Sequence, residues 1–326
     1  MKDIGMIKRP DIVKAIKGMS LRISEWIKAR GAIGAVTVIC GIISFAVMLI
    51  AVVSYNSKKE GDGYRLLISG TALTGIEVSE GAEGISVDIP FGVLTIGEEA
   101  FKNNTAIKEV RLSVSVNKIE KRAFSGCSSL ERVEIPPFSG LKEIENHVFQ
   151  RCTAIKEVEL RDASRLESIG YEAFMECTAM ESVYIPKSVK VLGGYAFSGC
   201  SSLKEISFSK RSDMKELNKG AFEYCTALES VSLPEGVNAL EKYSFRGCRS
   251  LKSVSFPKSL ERIGENSFSG CPIENIDLGG SDAVWWVHLE DDTAVISDGR
   301  YMCASGSGGI AEAVQKFCGY AWKRES

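Results

Sequence analysis

The residues with the greatest chemical reactivity in this sequence are ten cysteines, since thiolates bind metals and form disulfides. Seven of them follow one another at steps of 23 or 25 residues: Cys127, Cys152, Cys177, Cys200, Cys225, Cys248 and Cys271. Steps of this length exclude the closely spaced Cys-x-x-Cys pairs of zinc sites. We therefore expect a column of buried thiols that pack as small hydrophobes. A disulfide is more plausible between Cys303 and Cys318.

The two histidines offer little basis for catalysis. His147 occupies a repeat position that elsewhere holds arginine, glutamate or tyrosine, so we expect an exposed variable residue. His288 lies near Asp291 and Asp292, and Ser305 follows, but neither a nucleophile motif nor a glycine-rich phosphate loop accompanies them. The sequence therefore predicts no catalytic residue, no cofactor and no metal site. An enzymatic module in the C-terminal tail ranks third among the alternatives.

Seven of the cysteines belong to a repeat that runs through more than half of the sequence. Its marker is a phenylalanine at every 23 or 25 residues: Phe101, Phe124, Phe149, Phe174, Phe197, Phe222, Phe245 and Phe268. The cysteine comes three positions later, with Asn104 in its place in the first copy, and an aliphatic residue comes three positions after that. Two further apolar residues follow at spacings of three and two. The change of spacing predicts a tight helical turn followed by a short strand in each copy.

The repeat predicts a stacked architecture. A unit of this size cannot bury its apolar edge alone, whereas stacked units share one continuous core, so we predict a β-rich solenoid. Stacked strands lie roughly 4.8 Å apart, so about eight coils would form a body on the order of 40 Å long. Insertions of two residues follow the strand at 137–139, 162–164 and 210–212. We expect them to extend one side of the coil and to leave the core pattern unchanged.

The whole repeat unit is Ile-Gly-x-x-Ala-Phe-x-x-Cys-x-x-Leu-x-x-Val-x-Ile-Pro, seen for example at Leu192-Gly-Gly-Tyr-Ala-Phe197-Ser-Gly-Cys200-Ser-Ser-Leu203. It closely resembles the BspA-like (treponemal-type) leucine-rich repeats, from Ile85 to Leu278. The resemblance implies a solenoid of leucine-rich repeats that is exposed at a surface. In that family such a solenoid serves as a binding module, in adhesion and in cell-to-cell or host contact.

The segment Ala32–Val53 contains no charged residue and predicts one transmembrane α-helix before the solenoid. A helix of this length rises about 33 Å and suits a hydrocarbon layer of about 30 Å. The rival interpretation is a cleavable signal peptide, whose apolar core would be shorter, about 7–15 residues, and cleavage of the segment stays an open question. Residues 1–30 hold eight Lys or Arg and three acids. This excess predicts a cytoplasmic N-terminus and an external repeat domain.

The predicted organisation has six parts, taken in chain order. They are a basic cytoplasmic segment at 1–30, the transmembrane helix at 31–54, a polar linker at 55–63, an N-terminal cap at 64–95, the leucine-rich-repeat solenoid of about eight coils at 96–278, and a C-terminal cap at 279–326. The basic segment has the apolar spacing of an amphipathic helix, which would either lie on anionic lipid or merely set the orientation. In the C-terminal cap we expect strands at 285–289, 293–297 and 300–304, a break at 305–309 and a short helix at 310–317.

One column of charges alternates in sign from coil to coil. It follows the leucine position: Lys108, Glu131, Lys156, Glu181, Lys204, Glu229, Lys252 and Glu274. If the coils stack in register, each charge has opposite neighbours, and each exposed pair contributes about 0.2–1 kcal/mol. We therefore predict a ladder that supports the register of the coils and need not mark a ligand site.

The outward residue in the middle of each strand is the best candidate for contact with a partner. This face comprises Arg111, Glu134, Glu159, Tyr184, Ser207, Ser232 and Ser255. Small polar residues also suit any exposed strand, so the face has a purely structural interpretation as well. Phe138, after Pro136 and Pro137, is a second candidate anchor.

The sequence thus predicts a membrane-anchored surface protein, non-catalytic, that binds an extracellular protein or glycan. The membrane is its second partner, through Ala32–Val53, and no nucleic-acid partner is expected. The alternative is a scaffolding protein of the cell envelope that binds other membrane proteins.

Overall fold

The computed structural model describes residues 63–277, 285–288, 293–297, 300–303, 306–309 and 319–324. The basic segment 1–30, the expected membrane helix at 31–54, nearly all of the linker and the expected helix at 310–317 lie outside these residues, as does Cys318. The side chains of His288 and Cys303 also lie outside the description. Within the described residues, no helix has both the length and the apolar character needed to cross a bilayer.

The described chain begins with a β-hairpin that the sequence analysis did not predict. Its strands, β1 (Tyr64–Ser69) and β2 (Ala72–Val78), pair antiparallel. Alternate residues of a strand face the same side, and here Tyr64, Leu66 and Leu73 are buried in the core. The hairpin therefore contributes to the same apolar core as the repeats that follow it.

Each coil contributes one strand of two to five residues to a parallel face, which we call the strand face. Its strands are β3 (Ile85–Asp88), β5 (Ile107–Arg111), β7 (Arg132–Glu134), β9 (Glu157–Val158), β11 (Ser182–Ile185), β13 (Glu205–Phe208), β15 (Ser230–Ser232), β17 (Ser253–Ser255) and β19 (Asn275–Asp277). The register places Val110 beside Val133 and Val231 beside Val254. These central residues are buried, so the period of two sends their neighbours outward.

A second parallel face consists of strands of two residues, at the end of each circuit. They are β4 (Thr95–Ile96), β6 (Lys118–Ile119), β8 (Glu143–Ile144), β10 (Ser168–Ile169), β12 (Val191–Leu192), β14 (Glu216–Leu217), β16 (Ala239–Leu240) and β18 (Arg262–Ile263). The second residue of each is aliphatic and buried, as the repeat predicts. Hydrogen bonding along this face is interrupted between β12 and β14, where the side-chain amide of Asn218 donates to Leu192 O at 2.8 Å.

The third side of each coil, which we call the turn side, carries the Ala-Phe-x-x-Cys motif and is not helical. The predicted tight helical turn is wrong, because the one helical segment among the described residues is a 3-10 turn at Leu160–Asp162, beyond β9. On the turn side a left-handed residue recurs at every fourth position, as at Arg122 (φ 56°) and Gly126 (φ 76°), and this interrupts any helix. The N–H of Ser125 bonds back to Arg122 O at 3.0 Å, whereas that of Gly126 bonds to Gln150 O of the next coil at 2.8 Å.

The repeat phenylalanines form one continuous stack through the core. Successive ring centroids lie 4.7–5.7 Å apart and the ring planes deviate by 16° at most. All eight rings are buried. Each ring thus gains dispersion and stacking contacts from both neighbours, which a single coil could not supply.

The seven repeat cysteines form a second column, and all are free and buried, as predicted. Each Sγ donates a hydrogen bond of 3.0–3.3 Å to the carbonyl oxygen of the phenylalanine one coil earlier. Burial raises the pKa of Cys200 to about 12 and raises the pKa of Cys177 well above its usual value. The first copy has no earlier phenylalanine of the repeat, and there Asn104 Oδ1 instead accepts the N–H of Ala106 at 3.0 Å.

The alternating charge column forms ion pairs at four of its seven steps between neighbouring coils, so the predicted ladder is confirmed in part. The pairs are Lys108–Glu131 at 3.3 Å, Lys156–Glu131 at 3.6 Å, Lys204–Glu181 at 3.2 Å and Lys252–Glu274 at 3.1 Å. The lysines are largely exposed and Glu131 is partly exposed, so each pair contributes little by itself. The column therefore supports the register of the coils rather than the bulk of their stability.

The C-terminal strands form an antiparallel sheet. They are β20 (Trp285–His288), β21 (Thr293–Ser297), β22 (Arg300–Cys303), β23 (Gly306–Gly309) and β24 (Trp322–Arg324). The break expected at 305–309 is wrong, because β23 pairs there with β22. β24 pairs with both β18 and β20 and places the buried Trp322 beside Ile263. The sheet thus extends the second parallel face beyond the last coil.

The phenylalanine stack can be tested by removing one ring. We expect Phe174→Ala to lower the free energy of unfolding by about 3–5 kcal/mol, because the ring is fully buried between two others. Val191→Ala is the control, since Val191 is half-exposed and its replacement should change stability by no more than about 0.5 kcal/mol. Urea unfolding followed by circular dichroism measures both. Similar losses in the two variants would contradict a dominant role of the stack.

The thiol column predicts a clear difference in reactivity. A disulfide reagent at mildly alkaline pH should modify none of the seven repeat cysteines in the folded protein, because all seven are buried out of its reach. Burial also raises the pKa of thiols such as Cys200, which reduces their reactivity further. After denaturation without a reducing agent, all seven should react. Peptide mapping by mass spectrometry identifies the modified positions. Rapid labelling of the folded column, or a lack of free thiols after unfolding, would be incompatible with buried, unpaired cysteines.

Candidate functional site

The predicted contact residues lie on the strand face in the expected order. The parallel register pairs Arg111 with Glu134, Tyr184 with Ser207, and Ser232 with Ser255. Glu159 follows β9 directly and precedes the 3-10 turn. The residues differ in their surroundings, however, and these differences divide the face into parts.

The first part is occupied by ion pairs within the protein. The Arg111 guanidinium contacts Asp88 at 3.0 Å, Glu109 at 2.6 Å and Glu134 at 3.6 Å. Glu109 also accepts a hydrogen bond from Ser86 Oγ at 3.2 Å. Because Arg111 is shared among three carboxylates of neighbouring strands, Arg111 and Glu134 are better suited to holding these strands together than to contacting a partner.

The strand face is divided into three sheets by the length of the coils. Its hydrogen bonding is interrupted between β9 and β11 and between β13 and β15. Both interruptions fall at steps of 25 residues, from Val158 to Val183 and from Ile206 to Val231. The third such step, from Val133 to Val158, keeps two paired positions, whereas the steps of 23 residues keep three or four. The insertions thus leave the core intact, as predicted, but they remove hydrogen bonds from the strand face, which was not predicted.

A groove opens at the first interruption. There the backbone of Glu159 adopts φ −75° and ψ 68°, the geometry of an inverse γ-turn, and the 3-10 turn follows. Leu160 is fully buried and anchors this turn in the core. The resulting cavity has a volume of about 380 Å³, and we call it the strand-face groove. Its outward-facing lining residues are Glu157, Glu159, Arg161, Asp162, Ser182, Tyr184, Glu205 and Ser207.

One wall of the groove combines a cation with an aromatic ring. The Arg161 guanidinium lies 4.1 Å from the centroid of the Tyr184 ring, over its face, which is a favourable cation–π geometry. Tyr184 comes from β11 and Arg161 from the turn after β9, so the contact crosses the interruption. It holds the two sides of the groove together where backbone hydrogen bonds do not.

The groove is predominantly acidic, with four carboxylates against the single guanidinium. Glu159 forms an ion pair with Arg132, and Glu205 accepts a hydrogen bond from Ser207 Oγ at 2.6 Å. Glu157 and Asp162 are exposed, and neither forms an ion pair with any residue that the structure describes. These two carboxylates therefore leave negative charge available to a ligand.

The remaining predicted residues lie apart from the groove. Ser232 and Ser255 belong to the last sheet of the strand face, where Ser255 Oγ bonds to Asp277 at 3.2 Å. Phe138 lies in the loop after β7 and is 93% exposed. Its φ of 61° is unusual for a bulky side chain and costs conformational energy. The structure therefore brings Glu159, Tyr184 and Ser207 together and leaves the others separate.

His147 is not the exposed variable residue that the sequence predicted. It lies half-buried on the turn side, with its ring centroid 5.6 Å from that of Tyr171 in an edge-on arrangement. Nδ1 lies 3.3 Å from Glu172 but is not oriented for a hydrogen bond. Burial lowers the pKa of His147, and the nearby Arg122 and Lys121 lower it further, against the opposing effect of Glu172.

Four charged groove residues were missed in the sequence: Glu157, Arg161, Asp162 and Glu205. The sequence signal that could have indicated them is the insertion at 162–164. It predicted a longer loop, but not that this loop would affect pairing with the strand of the next coil. The described part of the chain contains no cluster of three or more His, Cys, Asp or Glu side chains arranged to hold a metal ion. The groove offers ionic, hydrogen-bonding and aromatic contacts, which are the means of recognition.

Comparison with known proteins agrees with this architecture. A family model described as the BspA type leucine rich repeat region matches residues 81–174 and 167–283, in six copies. The chain belongs to this family of leucine-rich-repeat proteins. No curated protein matches it.

Two solved structures illustrate the similarity. A leucine-rich repeat protein from Bacteroides ovatus ATCC 8483 is 30% identical with a TM-score of 0.57, and the match covers 65% of this chain and 56% of that one. The chain thus spans little more than half the length of that protein. The leucine rich repeat protein of T. pallidum is 27% identical with a TM-score of 0.44, over 66% of this chain and 89% of that one.

The environment of His147 predicts a contribution to acid sensitivity. Its pKa in the folded state is lowered, so the unfolded state binds the proton at a higher pH. Stability should therefore fall as the pH drops below about 6.5, the usual value, towards the lowered folded pKa. We expect the His147→Asn variant to lose less stability than the native protein over this pH range. Chemical unfolding at several pH values measures the free energy of unfolding of both proteins. A variant with the same pH profile as the native protein would refute the assignment.

Proposed function

We propose that the chain is a non-catalytic surface protein and that the strand-face groove binds an extracellular protein. The main support for the proposal is the groove itself, which outward-facing residues form at an interruption of the otherwise regular strand face. Membership of the BspA-type repeat family supports a binding role in general. The repeated inward residues are buried in the core, so contacts with a partner would come from the outward residues, which differ between coils.

The charges of the groove favour a partner that presents a basic side chain. Glu157 and Asp162 have no partner of opposite charge among the described residues, and the only cation of the groove is stacked on Tyr184. A lysine or arginine from the partner would gain two charge-assisted hydrogen bonds here. Tyr184 supplies the rigid aromatic surface that such contact sites favour.

We also infer that the segment Ala32–Val53 anchors the chain in a membrane, with residues 1–30 in the cytoplasm. The support is the uncharged length of the segment and the excess of basic residues before it. Protease added to intact cells that produce the full-length chain should then remove the repeats and leave the N-terminal segment protected. Protection of the repeats until the cells are lysed would contradict this orientation.

Photo-crosslinking in living cells tests the groove even while the identity of the partner is open. A photoreactive amino acid in place of Glu157 should yield a discrete adduct with an extracellular protein, whereas the same amino acid in place of Val191, exposed on the second parallel face, should not. With the partner identified, we expect Tyr184→Ala to weaken binding roughly thirtyfold, the effect of a contact residue worth about 2 kcal/mol.

The control for this substitution is Glu216→Ala, an exposed position in β14 that should leave affinity and folding unchanged. Unaltered affinity of a correctly folded Tyr184→Ala variant would exclude the groove as the binding site. Adducts formed only with other proteins of the envelope would instead support a scaffolding role.

A further inference from the structure

A second surface of unusual composition lies on the turn side and is independent of the strand-face groove. It contains four of the nine tyrosines of the chain, together with two cations, within consecutive coils. We call it the aromatic ribbon, and it consists of Tyr171, Tyr195, Lys219, Tyr224, Tyr243 and Arg246. None of these residues belongs to the repeated core pattern, so their concentration on one side requires a separate explanation.

The members of the ribbon contact one another in sequence along the solenoid. The rings of Tyr171 and Tyr195 meet edge-on with centroids 5.8 Å apart. Lys219 Nζ then lies 5.7 Å from the centroid of Tyr195 and 5.6 Å from that of Tyr243. The Arg246 guanidinium lies 4.5 Å from the Tyr243 ring and 5.4 Å from the Tyr224 ring. From Tyr195 onward, aromatic rings and cations therefore alternate along the surface.

Two of the rings pack against glycines of the next coil. A Cβ atom on Gly220 would come within 2.4 Å of the Tyr195 ring, and one on Gly247 within 2.4 Å of the Tyr224 ring. Both glycines have left-handed backbones, with φ of 62° and 75°. The two rings thus pack against the backbone of the next coil. A side chain at either glycine position would occupy the space that the ring fills. Tyr171 and Tyr224 remain 42% and 45% exposed.

The two cations of the ribbon differ in their ionic partners. Arg246 pairs with Glu223, whose side chain is buried, so its charge is neutralised within the protein. Lys219 is exposed and forms no ion pair with any described residue. Its immediate neighbours are the faces of Tyr195 and Tyr243, which attract a cation but do not neutralise it. Glu223, which is paired with Arg246, also interacts electrostatically with Lys219, but without forming an ion pair with it. Lys219 therefore places between two aromatic rings a positive charge that no ion pair with a described residue neutralises.

We propose that the aromatic ribbon binds a linear anionic polysaccharide. Sugar rings carry apolar C–H faces that stack on tyrosine rings, and a carboxylate or sulfate group on the sugar would form a charge-assisted hydrogen bond with Lys219. Tyr195 and Tyr243 lie two coils apart, roughly 10 Å at the spacing of stacked strands, which is close to the repeat of a disaccharide in an extended chain. The axis of the ribbon along the solenoid suits a polymer rather than a compact ligand.

The test uses the full-length protein in detergent micelles and two pairs of matched probes. The first pair is polygalacturonate and its fully methyl-esterified form, which share a backbone and differ in charge. The second pair, dextran sulfate and dextran, tests sulfate in place of carboxylate. We expect the charged member of at least one pair to bind at least about tenfold more tightly than its neutral counterpart, with an affinity that falls as salt is added.

Substitutions separate the two proposed contacts. Tyr195→Ala should weaken binding at least about tenfold, and Tyr195→Phe, which keeps the ring, should preserve it. Lys219→Met should remove the preference for the charged probe and leave binding of the neutral one unchanged. Tyr184→Ala, in the strand-face groove, should have no effect. Circular dichroism and the unfolding midpoint establish that each variant is folded.

Three results would overturn the proposal: binding of none of the four probes, a preference for the charged probe that survives Lys219→Met, or tighter binding of single-stranded polyuridylate than of either charged polysaccharide. The last result would show that the ribbon stacks nucleobases and binds phosphate instead. None of these results bears on the strand-face groove, whose partner is tested separately.

Discussion

The structure depends on the carbonyl oxygens of the repeat phenylalanines, seven of which, all but that of Phe268, accept two hydrogen bonds at once. Phe124 O accepts the N–H of Cys127 within its own coil at 3.0 Å and the thiol of Cys152 in the next coil at 3.0 Å. The first bond closes the turn and the second joins the coils. Because the rings stack on the same residues, hydrogen bonding and apolar packing impose one common spacing. The sequence and length of a coil can therefore vary only outside this column of phenylalanines and cysteines.

That constraint explains where irregularity occurs and what it produces. The turn side keeps its bonds from coil to coil along the whole array, so the extra residues of the longer coils are placed after the strand. The strand face then loses pairing at the longer steps, while the core of Phe149, Cys152 and Phe174 continues without a gap. The strand-face groove lies where strand pairing is interrupted, whereas the aromatic ribbon consists of variable residues on the regular turn side. The core and the two proposed binding surfaces thus use different residues of the same coil.

The repeated features could be predicted from the sequence, because each residue pattern recurs in several coils. The core column, the free thiols and the Lys108–Glu131 ladder follow from spacing alone. The turn was mistaken for a helix because a spacing of three suits both, and residues such as Arg122 and His147 do not reveal a left-handed backbone by their type. The groove and the ribbon could not be predicted, since each depends on contacts between single residues of different coils, such as Arg161 over Tyr184. No repetition marks such contacts.

An insertion after the strand opens the groove while the core stays continuous, and this relation can be examined by amide hydrogen exchange. The full-length native chain is compared with a variant that lacks the exposed residues Arg161 and Asp162, keeps the buried Leu160 and Ala163, and so has a coil of 23 residues. We predict that amides of β11 exchange at least about tenfold faster than those of β5 in the native protein, and that the deletion slows them to the β5 rate. Equal protection of β11 and β5 in the native protein, or fast exchange that persists in the folded deletion variant, would contradict this relation.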